Sequence, residues 1–451
     1  MTACRIDWTN AVINGMDLAP FQARAGEMAQ RLSAEVAAGK LPFLAMPYMD
    51  ALIADLSAMQ PWINSFEHLL VLGIGGSTLG ARALQKAYMP GQDLPGHKGP
   101  WIWIADNVDV LSLETCLSRL PADKTLVLTI SKSGDTIETL GWYFLVKAWL
   151  KSKLPDSWGQ HMLLVTDEHK GYLREEAGRM GAKTLAVPDN LGGRYSALSA
   201  VGLVPAAFMG MDWQGLAAGA RAVAAPLISA MSKNALDGPT LASHPAFELA
   251  CWNLALMAKG YDQLIFFSYI PQWAWYGDWF CQLWAESLGK EGKGSQPLRS
   301  VGVTDQHSVN QMYLDGPRNK ACLFVTNATA PQGPHFPTDL PDMFSYIQGR
   351  PFGDLLEAEG LGTRMALVKT GVPLVELKMA DHSAKSAGRL MLLLEAATIL
   401  TGWLMGINPV DQPAVELGKR LAKARLGAEG LAEEKKDLDA FLSGQRLVKE
   451  F

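Results

Sequence analysis

Six consecutive residues combine side chains that are suited to binding an anion. Residues 131–136 read SKSGDT and supply three hydroxyls, one lysine and one glycine. Hydroxyls donate hydrogen bonds to phosphate oxygens, and the free N–H groups at a helix N-terminus attract negative charge. A helix cap would need only one side chain, from Ser133, Asp135 or Thr136. We therefore predict that this stretch binds phosphate, with simple capping as the alternative.

A glycine-rich stretch, LGIGGSTLG at 72–80, permits a tight turn and a close approach of the backbone to a ligand. A dinucleotide-binding GxGxxG pattern that starts at Gly73 would require a glycine where Thr78 stands. The chain also contains no GxxxxGK[ST] phosphate loop. These mismatches disfavour a nucleotide-dependent oxidoreductase. The remaining alternatives are a sugar-binding loop and a tight turn without a ligand.

A second glycine pair is followed by an arginine in DNLGGRYSALSAVG, at 189–202. Paired glycines let the backbone come near a ligand, and Arg194 would place a permanent positive charge beside it. A solvent-exposed arginine is the alternative, and the stretch taken alone does not decide between the two.

The elements around these stretches alternate between continuous apolar strands and helices. Strand patterns occur at 68–74, 101–106, 124–130, 161–167 and 183–189, and they resume at 263–269, 321–327 and 372–379. This alternation predicts an α/β protein with two doubly wound parallel-sheet domains, each a three-layer αβα sandwich. We expect an N-terminal helical segment (1–50), a first domain (51–211), a second domain (230–420) and a C-terminal helical tail (421–451). The Ala/Gly-rich segment 212–240 is interpreted as a helix plus a connector.

Ligands of such sheets lie beyond the carboxyl ends of the strands. The predicted strands 68–74 and 124–130 both lead into the polar or glycine-rich stretches described above. We therefore expect these two loops to face one site.

Charge, cysteine content and apolar stretches limit the partners and the compartment that we expect for this protein. The net charge is -5 and the pI is about 5.9, which argues against a nucleic-acid-binding face. Five isolated cysteines without a CxxC pair suit a reducing compartment and give no zinc signal. The apolar stretch 389–409 is interrupted by Glu395, which favours a buried helix over a membrane span. The N-terminus does not resemble a signal peptide, so we expect a cytoplasmic protein with no membrane partner.

Six stretches in order resemble the glucose-6-phosphate isomerase (phosphoglucose isomerase) family, bacterial type, which is built from two sugar-isomerase (SIS) α/β domains. The first three are the stretches described above. The other three are WAESLGKEGKG (284–294), TDQHSVNQ (304–311) and GWLMGINPVDQPAVELGK (402–419). The last of these resembles the family's second signature. Three positions depart from the family pattern, namely Leu288, Val410 and Ala414.

The resemblance implies roles for individual residues. Glu286 would be the base that moves a proton between C1 and C2, and Arg194 would stabilise the enediolate. His307 and Lys419 would open the sugar ring, for which an imidazole that titrates near neutrality is suited. The remaining site residues would hold the substrate, with Lys132 acting through its backbone N–H: Gly76, Ser77, Ser131, Lys132, Ser133, Thr136 and Gln412.

The implied activity is interconversion of D-glucose 6-phosphate and D-fructose 6-phosphate, through ring opening and a cis-enediol(ate). The family's histidine comes from the neighbouring subunit, so the resemblance also implies a homodimer with shared active sites. We expect no metal and no cofactor. Two alternatives stay open, a bifunctional isomerase that also accepts mannose 6-phosphate and a non-catalytic sugar-phosphate-binding protein.

Overall fold

The computed structural model describes residues 3–228, 236–329, 331–444 and 446–451. These residues form two compact units, Met1–Pro409 and Val410–Phe451. The predicted α/β class is confirmed, because the first unit contains two largely parallel sheets with helices between the strands. The segment predicted as a helix plus connector begins with a helix at Trp213–Leu227, and positions 229–235 lie outside the described residues.

The strands form two sheets, with orders β3-β2-β4-β5-β6 and β1-β10-β9-β7-β8 among the described residues. The central strands are largely apolar and buried because both faces of each sheet are covered. The strands are β1 (Arg5–Asn10), β2 (His68–Leu72), β3 (Trp101–Ala105), β4 (Thr125–Ser131), β5 (Met162–Thr166), β6 (Lys183–Ala186), β7 (Gln263–Ser268), β8 (Gln296–Val301), β9 (Lys320–Asn327) and β10 (Leu374–Met379).

One correction concerns the N-terminal segment (1–50), which the sequence predicts as a helical segment. Residues Arg5–Asn10 form β1, which pairs antiparallel with β10 at the edge of the second sheet. Its sequence RIDWTN alternates polar and apolar side chains, as expected for an edge strand with one covered face. Helices follow it at Ala19–Gln22 and Ala25–Ala37.

Helices cover the sheets and supply the remaining core. They are α1 (Ala19–Gln22), α2 (Ala25–Ala37), α3 (Pro42–Ala45), α4 (Asp50–Ile63), α5 (Leu79–Tyr88), α6 (Val110–Arg119), α7 (Ile137–Lys153), α8 (Tyr172–Met180), α9 (Ala200–Phe208), α10 (Trp213–Leu227), α11 (Gly238–Ala242), α12 (Pro245–Met257), α13 (Ala274–Leu288), α14 (Asn310–Leu314), α15 (Phe352–Lys369) and α16 (Ala384–Leu404).

The helix α16 is long and apolar enough to cross a membrane, yet nearly all of its most apolar window is buried inside the protein. It packs against α10, α12 and α13, so its apolar residues belong to the main core. This position matches the buried helix that the sequence predicts for this region.

The second unit contains α17 (Glu416–Arg425) and α18 (Ala432–Ser443). An ion pair between Arg420 and the buried Glu434 joins the two helices. The unit begins at Val410, whereas the tail was predicted to start at residue 421. The predicted domain boundaries stay predictions.

Candidate active site

The two loops that were predicted to share a site leave neighbouring strands at the same edge of the first sheet. Strand β2 lies between β3 and β4, and Leu72 is paired with Thr129 of β4. A Cβ added to Gly73 would lie 3.3 Å from the carbonyl oxygen of Ile130, so the two strand ends are in close contact. The chain continues from β2 to β3 on one side and returns to β4 on the other, which makes this edge the switch point where such sheets bind ligands.

The polar loop after β4 keeps its hydroxyls together. The Ser131 hydroxyl donates to Thr136 Oγ1 at 3.0 Å, and Gly134 has a φ of +74°, a conformation that favours glycine. Thr136 occupies the N-cap position of α7, but its side chain makes no capping hydrogen bond. Ser133 is exposed, and its hydroxyl accepts from the backbone N–H of Asp135 at 3.3 Å. The hydroxyls at 131 and 136 therefore face each other rather than capping the helix.

The side chain of Lys132 is directed to another loop. Its Nζ donates to the carbonyl oxygen of Asp189 at 2.9 Å. Burial lowers the pKa of Lys132, the charge of Asp189 opposes this effect, and the positive charge of Arg194 lowers the pKa further. The Lys132 ammonium thus ties the loop after β4 to the segment that leads to Arg194.

Two glycine loops pack backbone against backbone. Gly75–Ser77 and Gly193–Tyr195 each form a short 3₁₀ turn. A Cβ added to Gly76 would lie only 2.2 Å from the carbonyl carbon of Gly193, so this position requires glycine. The Ser196 hydroxyl donates to the carbonyl oxygen of Gly193 at 2.6 Å and further fixes the contact. Ser77 is half-buried in the first of these turns.

The close contact of these loops places Arg194 beside Glu286. Arg194 is only 2% exposed, and its Nη1 donates to Glu286 Oε2 at 3.2 Å. Its Nε donates to Ser287 Oγ at 2.7 Å, and its Nη2 donates to the carbonyl oxygen of Pro409 at 2.7 Å. The Tyr195 hydroxyl lies 2.9 Å from the same Ser287 Oγ. The guanidinium is therefore a buried positive charge with a fixed orientation.

Glu286 lies near the C-terminal end of α13, with its side chain 30% exposed. Gln282, one turn earlier on the helix, donates from Nε2 to Glu286 Oε1 at 2.9 Å. A Cβ added to Gly75 would lie 3.0 Å from the same nitrogen, so the first glycine loop contacts Gln282. The carboxylate is oriented by protein donors on both oxygens and remains accessible to a small molecule.

The other predicted site residues lie on different elements. His307 ends a 3₁₀ turn, Thr304–His307, and its ring is exposed. Gln412 and Lys419 belong to the second compact unit, where both are exposed. Lys419 Nζ forms an ion pair there with Glu416 Oε1 at 2.8 Å. Within the first unit, the structure thus brings together Gly76, Arg194 and Glu286 beside the loop at 131–136.

Comparison with known proteins identifies the family of this chain. Residues 61–336 match the family model described as phosphoglucose isomerase. This chain belongs to the phosphoglucose isomerase family. The match covers the two glycine loops, the hydroxyl loop, Glu286 and His307.

Curated relatives agree with the family assignment. The glucose-6-phosphate isomerase of Rubrobacter xylanophilus is 37% identical over 364 residues, covering 80% of this chain and 82% of the relative. The glucose-6-phosphate isomerase of Carboxydothermus hydrogenoformans is 33% identical over 418 residues, covering 89% and 88%. The alignment lengths show that the similarity extends over most of both chains.

Solved structures share the fold. A hypothetical protein from Thermus thermophilus is 30% identical with a TM-score of 0.82, covering 94% of this chain and 100% of that chain. A glucose-6-phosphate isomerase from Chlamydia trachomatis has a TM-score of 0.76 at 20% identity, covering 97% and 91%. The fold of this family member is therefore one that crystal structures have already described.

Three side chains that orient the cluster were not predicted from the sequence, namely Tyr195, Gln282 and Ser287. Tyr195 and Ser287 are the immediate neighbours of Arg194 and Glu286, and that adjacency was the available signal. The spacing of four between Gln282 and Glu286 would have paired them only if 274–288 had been predicted as a helix.

Leu288, one of the departures from the family pattern, is fully buried. A Cβ added to Gly402 of α16 would lie 3.3 Å from Leu288 Cδ2, so the leucine packs closely against that core helix. A charged side chain in this position would be costly to bury.

Proposed function

We propose that this protein interconverts D-glucose 6-phosphate and D-fructose 6-phosphate through ring opening and a cis-enediol(ate). The observation that carries the proposal is the pairing of an accessible, oriented carboxylate, Glu286, with a buried guanidinium, Arg194, at 3.2 Å. The pair lies in a chain whose relatives are named glucose-6-phosphate isomerase. A base and a fixed positive charge are the two groups that aldose–ketose proton transfer requires.

In the proposed reaction, Glu286 accepts the C2 proton of the open-chain aldose and returns a proton to C1. The electron pair left by the C–H bond forms the C1–C2 double bond of the enediolate, and negative charge develops on the former carbonyl oxygen. Arg194 stabilises that charge without needing to reorient, because Ser287 and the Pro409 carbonyl already fix its guanidinium. As C1 takes the proton, the O2 hydroxyl proton moves to O1 and the C2=O bond of the ketose forms. The same carboxylate serves both carbons and is deprotonated again at the end of the turnover.

The hydroxyl loop binds the phosphate in this proposal. Ser131 and Thr136 are already 3.0 Å apart, and their hydroxyls can turn to donate to phosphate oxygens when substrate arrives. Ser133 is exposed beside them, and Gly76 and Ser77 lie at the end of the neighbouring strand, β2. Lys132 contributes its backbone, since its ammonium is bound to the Asp189 carbonyl oxygen. Gln412 contacts the sugar or the phosphate.

In this proposal His307 and Lys419 open the sugar ring. We also propose that the protein is a cytoplasmic homodimer, in which His307 of one subunit enters the active site of the other. Support comes from its exposed ring, which has no hydrogen-bond or ion-pair partner among the described residues. Val309 and Met312, which follow it, are 41% and 56% exposed and would be covered by a second subunit. No metal or cofactor has a role in this scheme.

Subunit mixing tests both the activity and the shared site. His307→Ala and Glu286→Gln homodimers should each be nearly inactive in conversion of fructose 6-phosphate to glucose 6-phosphate. Random reassociation of equal amounts should restore about a quarter of the wild-type activity, because half of the dimers are mixed and each has one intact site. If mixing restores no activity although mixed dimers form, His307 and Glu286 act within one subunit.

The alternatives from the sequence have less support. A non-catalytic sugar-phosphate-binding protein predicts loss of the base or the histidine, and both Glu286 and His307 are present. The orientation of both Glu286 oxygens by Gln282 and Arg194 also suits a catalytic carboxylate better than an idle one. Acceptance of mannose 6-phosphate is decided by the same coupled assay with that sugar phosphate as substrate.

A further inference from the structure

The residue before His307 is held between a strand and a helix of the same compact unit. The Tyr269 hydroxyl donates to Gln306 Oε1 at 2.7 Å. Gln306 Nε2 donates to Glu359 Oε2 at 2.9 Å. Tyr269 directly follows β7 and Glu359 lies in α15, so one amide joins the turn to two elements of the second sheet's core.

The hydrogen-bonding roles of Glu359 and Tyr269 fix the orientation of the Gln306 amide. An ionised carboxylate only accepts hydrogen bonds, so the Gln306 NH₂ group must face Glu359 and its oxygen must face Tyr269. Burial raises the pKa of Tyr269 to about 12, so its hydroxyl remains a donor throughout the neutral range. A Cβ added to Gly360 would lie 2.9 Å from Tyr269 Cδ1, which shows how closely α15 packs on this ring.

The turn itself is anchored on its other side as well. Asp305 Oδ2 accepts from the backbone N–H of Val301, at the end of β8, at 2.8 Å. Its Oδ1 accepts from the Ser308 hydroxyl at 2.7 Å. Successive side chains of a 3₁₀ turn point about 120° apart. Gln306 can therefore bind the core while His307 is presented to solvent on an anchored backbone.

We propose that Gln306, clamped by Tyr269 and Glu359, is a positioning residue that fixes the backbone carrying His307 for ring opening. The inference rests on the proposed function and assigns a task to three side chains outside the catalytic set. Since the imidazole has no described partner of its own, its position in the reacting complex depends on how rigidly this turn is held.

The test begins with Gln306→Met, which keeps the side-chain length and removes both hydrogen bonds. We expect kcat to fall about 10- to 100-fold with KM changed less than about threefold, because the substrate contacts are untouched. Tyr269→Phe, which removes one bond and keeps the ring, should give a smaller loss in the same direction. Gln296→Met, at the opposite end of β8 on an exposed residue, is the matched control and should leave kcat unchanged.

The deciding measurement is the double variant Gln306→Met/His307→Ala in the coupled isomerase assay. If Gln306 acts through His307, the double variant should be no slower than His307→Ala alone. Multiplied losses, or a Gln306→Met enzyme with wild-type kcat, would overturn the inference and leave the proposed function standing. A wild-type protein without isomerase activity would overturn the proposed function, and this inference with it.

Discussion

Arg194 Nη1 lies 3.2 Å from Glu286 Oε2, while Ser287 and the Pro409 carbonyl bind the other nitrogens of the same guanidinium. The two residues come from opposite halves of the chain, 92 positions apart. The arginine is held by bonds other than the one to Glu286, so a sugar can displace the carboxylate contact without releasing the positive charge. This arrangement suits the role proposed for Arg194, a positive charge that remains fixed while Glu286 moves a proton.

Replacing Arg194 with lysine tests whether a positive charge is sufficient at this position or whether the planar guanidinium is required. A lysine keeps the positive charge but cannot bind Ser287, Pro409 and Glu286 in a planar array. We expect kcat to fall about 100- to 1,000-fold, as for loss of a fixed donor at a developing oxyanion, with a smaller change in KM. Steady-state kinetics in the coupled assay measures this. Arg119→Lys, an exposed position on α6, is the control, and a kcat within about threefold of wild type for Arg194→Lys would contradict the assigned role.

Thr136→Ala tests the phosphate loop. Removal of this hydroxyl deprives the phosphate of a donor and Ser131 of its 3.0 Å partner. A hydrogen bond to a charged group contributes about 1.5–3 kcal/mol, so KM should rise roughly 10- to 100-fold while kcat changes little. Thr115→Ala, on an exposed face of α6, should leave both constants unchanged. A fall in kcat at constant KM would show that the loop takes part in the proton transfer.

Gly76→Ala tests the contact between the glycine loops. The added methyl would lie 2.2 Å from the Gly193 carbonyl carbon, so one loop must move and Arg194 would move with it. We expect kcat/KM to fall at least about 100-fold, since misplacement by about 1 Å can have that effect. Gly141→Ala, in helix α7 where an added Cβ would have no atom within 4 Å, should retain activity. Wild-type kcat/KM for Gly76→Ala would show that the loops can separate without consequence.

We expect the buried Glu395 to lower the free energy of unfolding by an amount that depends on pH. The side chain is fully buried in α16, neither carboxylate oxygen has a partner among the described residues, and burial raises its pKa well above 4.5. In the unfolded chain the group ionises near its ordinary pKa, so stability falls as pH rises from there towards the folded pKa. The slope is about 1.4 kcal/mol per pH unit within that window.

Glu395→Met should therefore raise Tm relative to wild type at neutral pH, and the gain should shrink as the pH is lowered towards the ordinary pKa of a glutamate. The exposed Glu114→Met is the matched control and should show no such trend. Thermal unfolding at several pH values measures both variants. An equal difference in Tm at every pH would mean that Glu395 is not held neutral in the folded protein.

The sequence predicts the central strands and the loops that follow them, because strands buried on both faces are continuous apolar runs. The edge strands β1 and β8 were missed, since RIDWTN and QPLRSV mix polar and apolar side chains. The pairing of Arg194 with Glu286 has no local signal, because it arises only when the glycine loops and α13 pack together. Only resemblance to a family placed both residues in one site.

The roles proposed for His307 and Lys419 rest on the family resemblance. His307 has no described hydrogen bond or ion pair to Glu286, and Lys419 belongs to the second compact unit. The subunit-mixing experiment addresses His307 directly. The fold explains the position of the turn that carries the imidazole, because hydrogen bonds of Asp305 and Gln306 anchor that turn.

The most direct test of the proposed mechanism is the coupled conversion of fructose 6-phosphate to glucose 6-phosphate by wild type and Glu286→Gln. The glutamine keeps the size of the side chain, and its single amide oxygen can still accept from Arg194, but it cannot accept the C1 proton of fructose 6-phosphate. We expect an active wild type and a kcat lowered about 100- to 10,000-fold in the variant, with KM within a few-fold and an unaffected Glu114→Gln control. An inactive wild type, or a Glu286→Gln enzyme as fast as wild type, would contradict the mechanism.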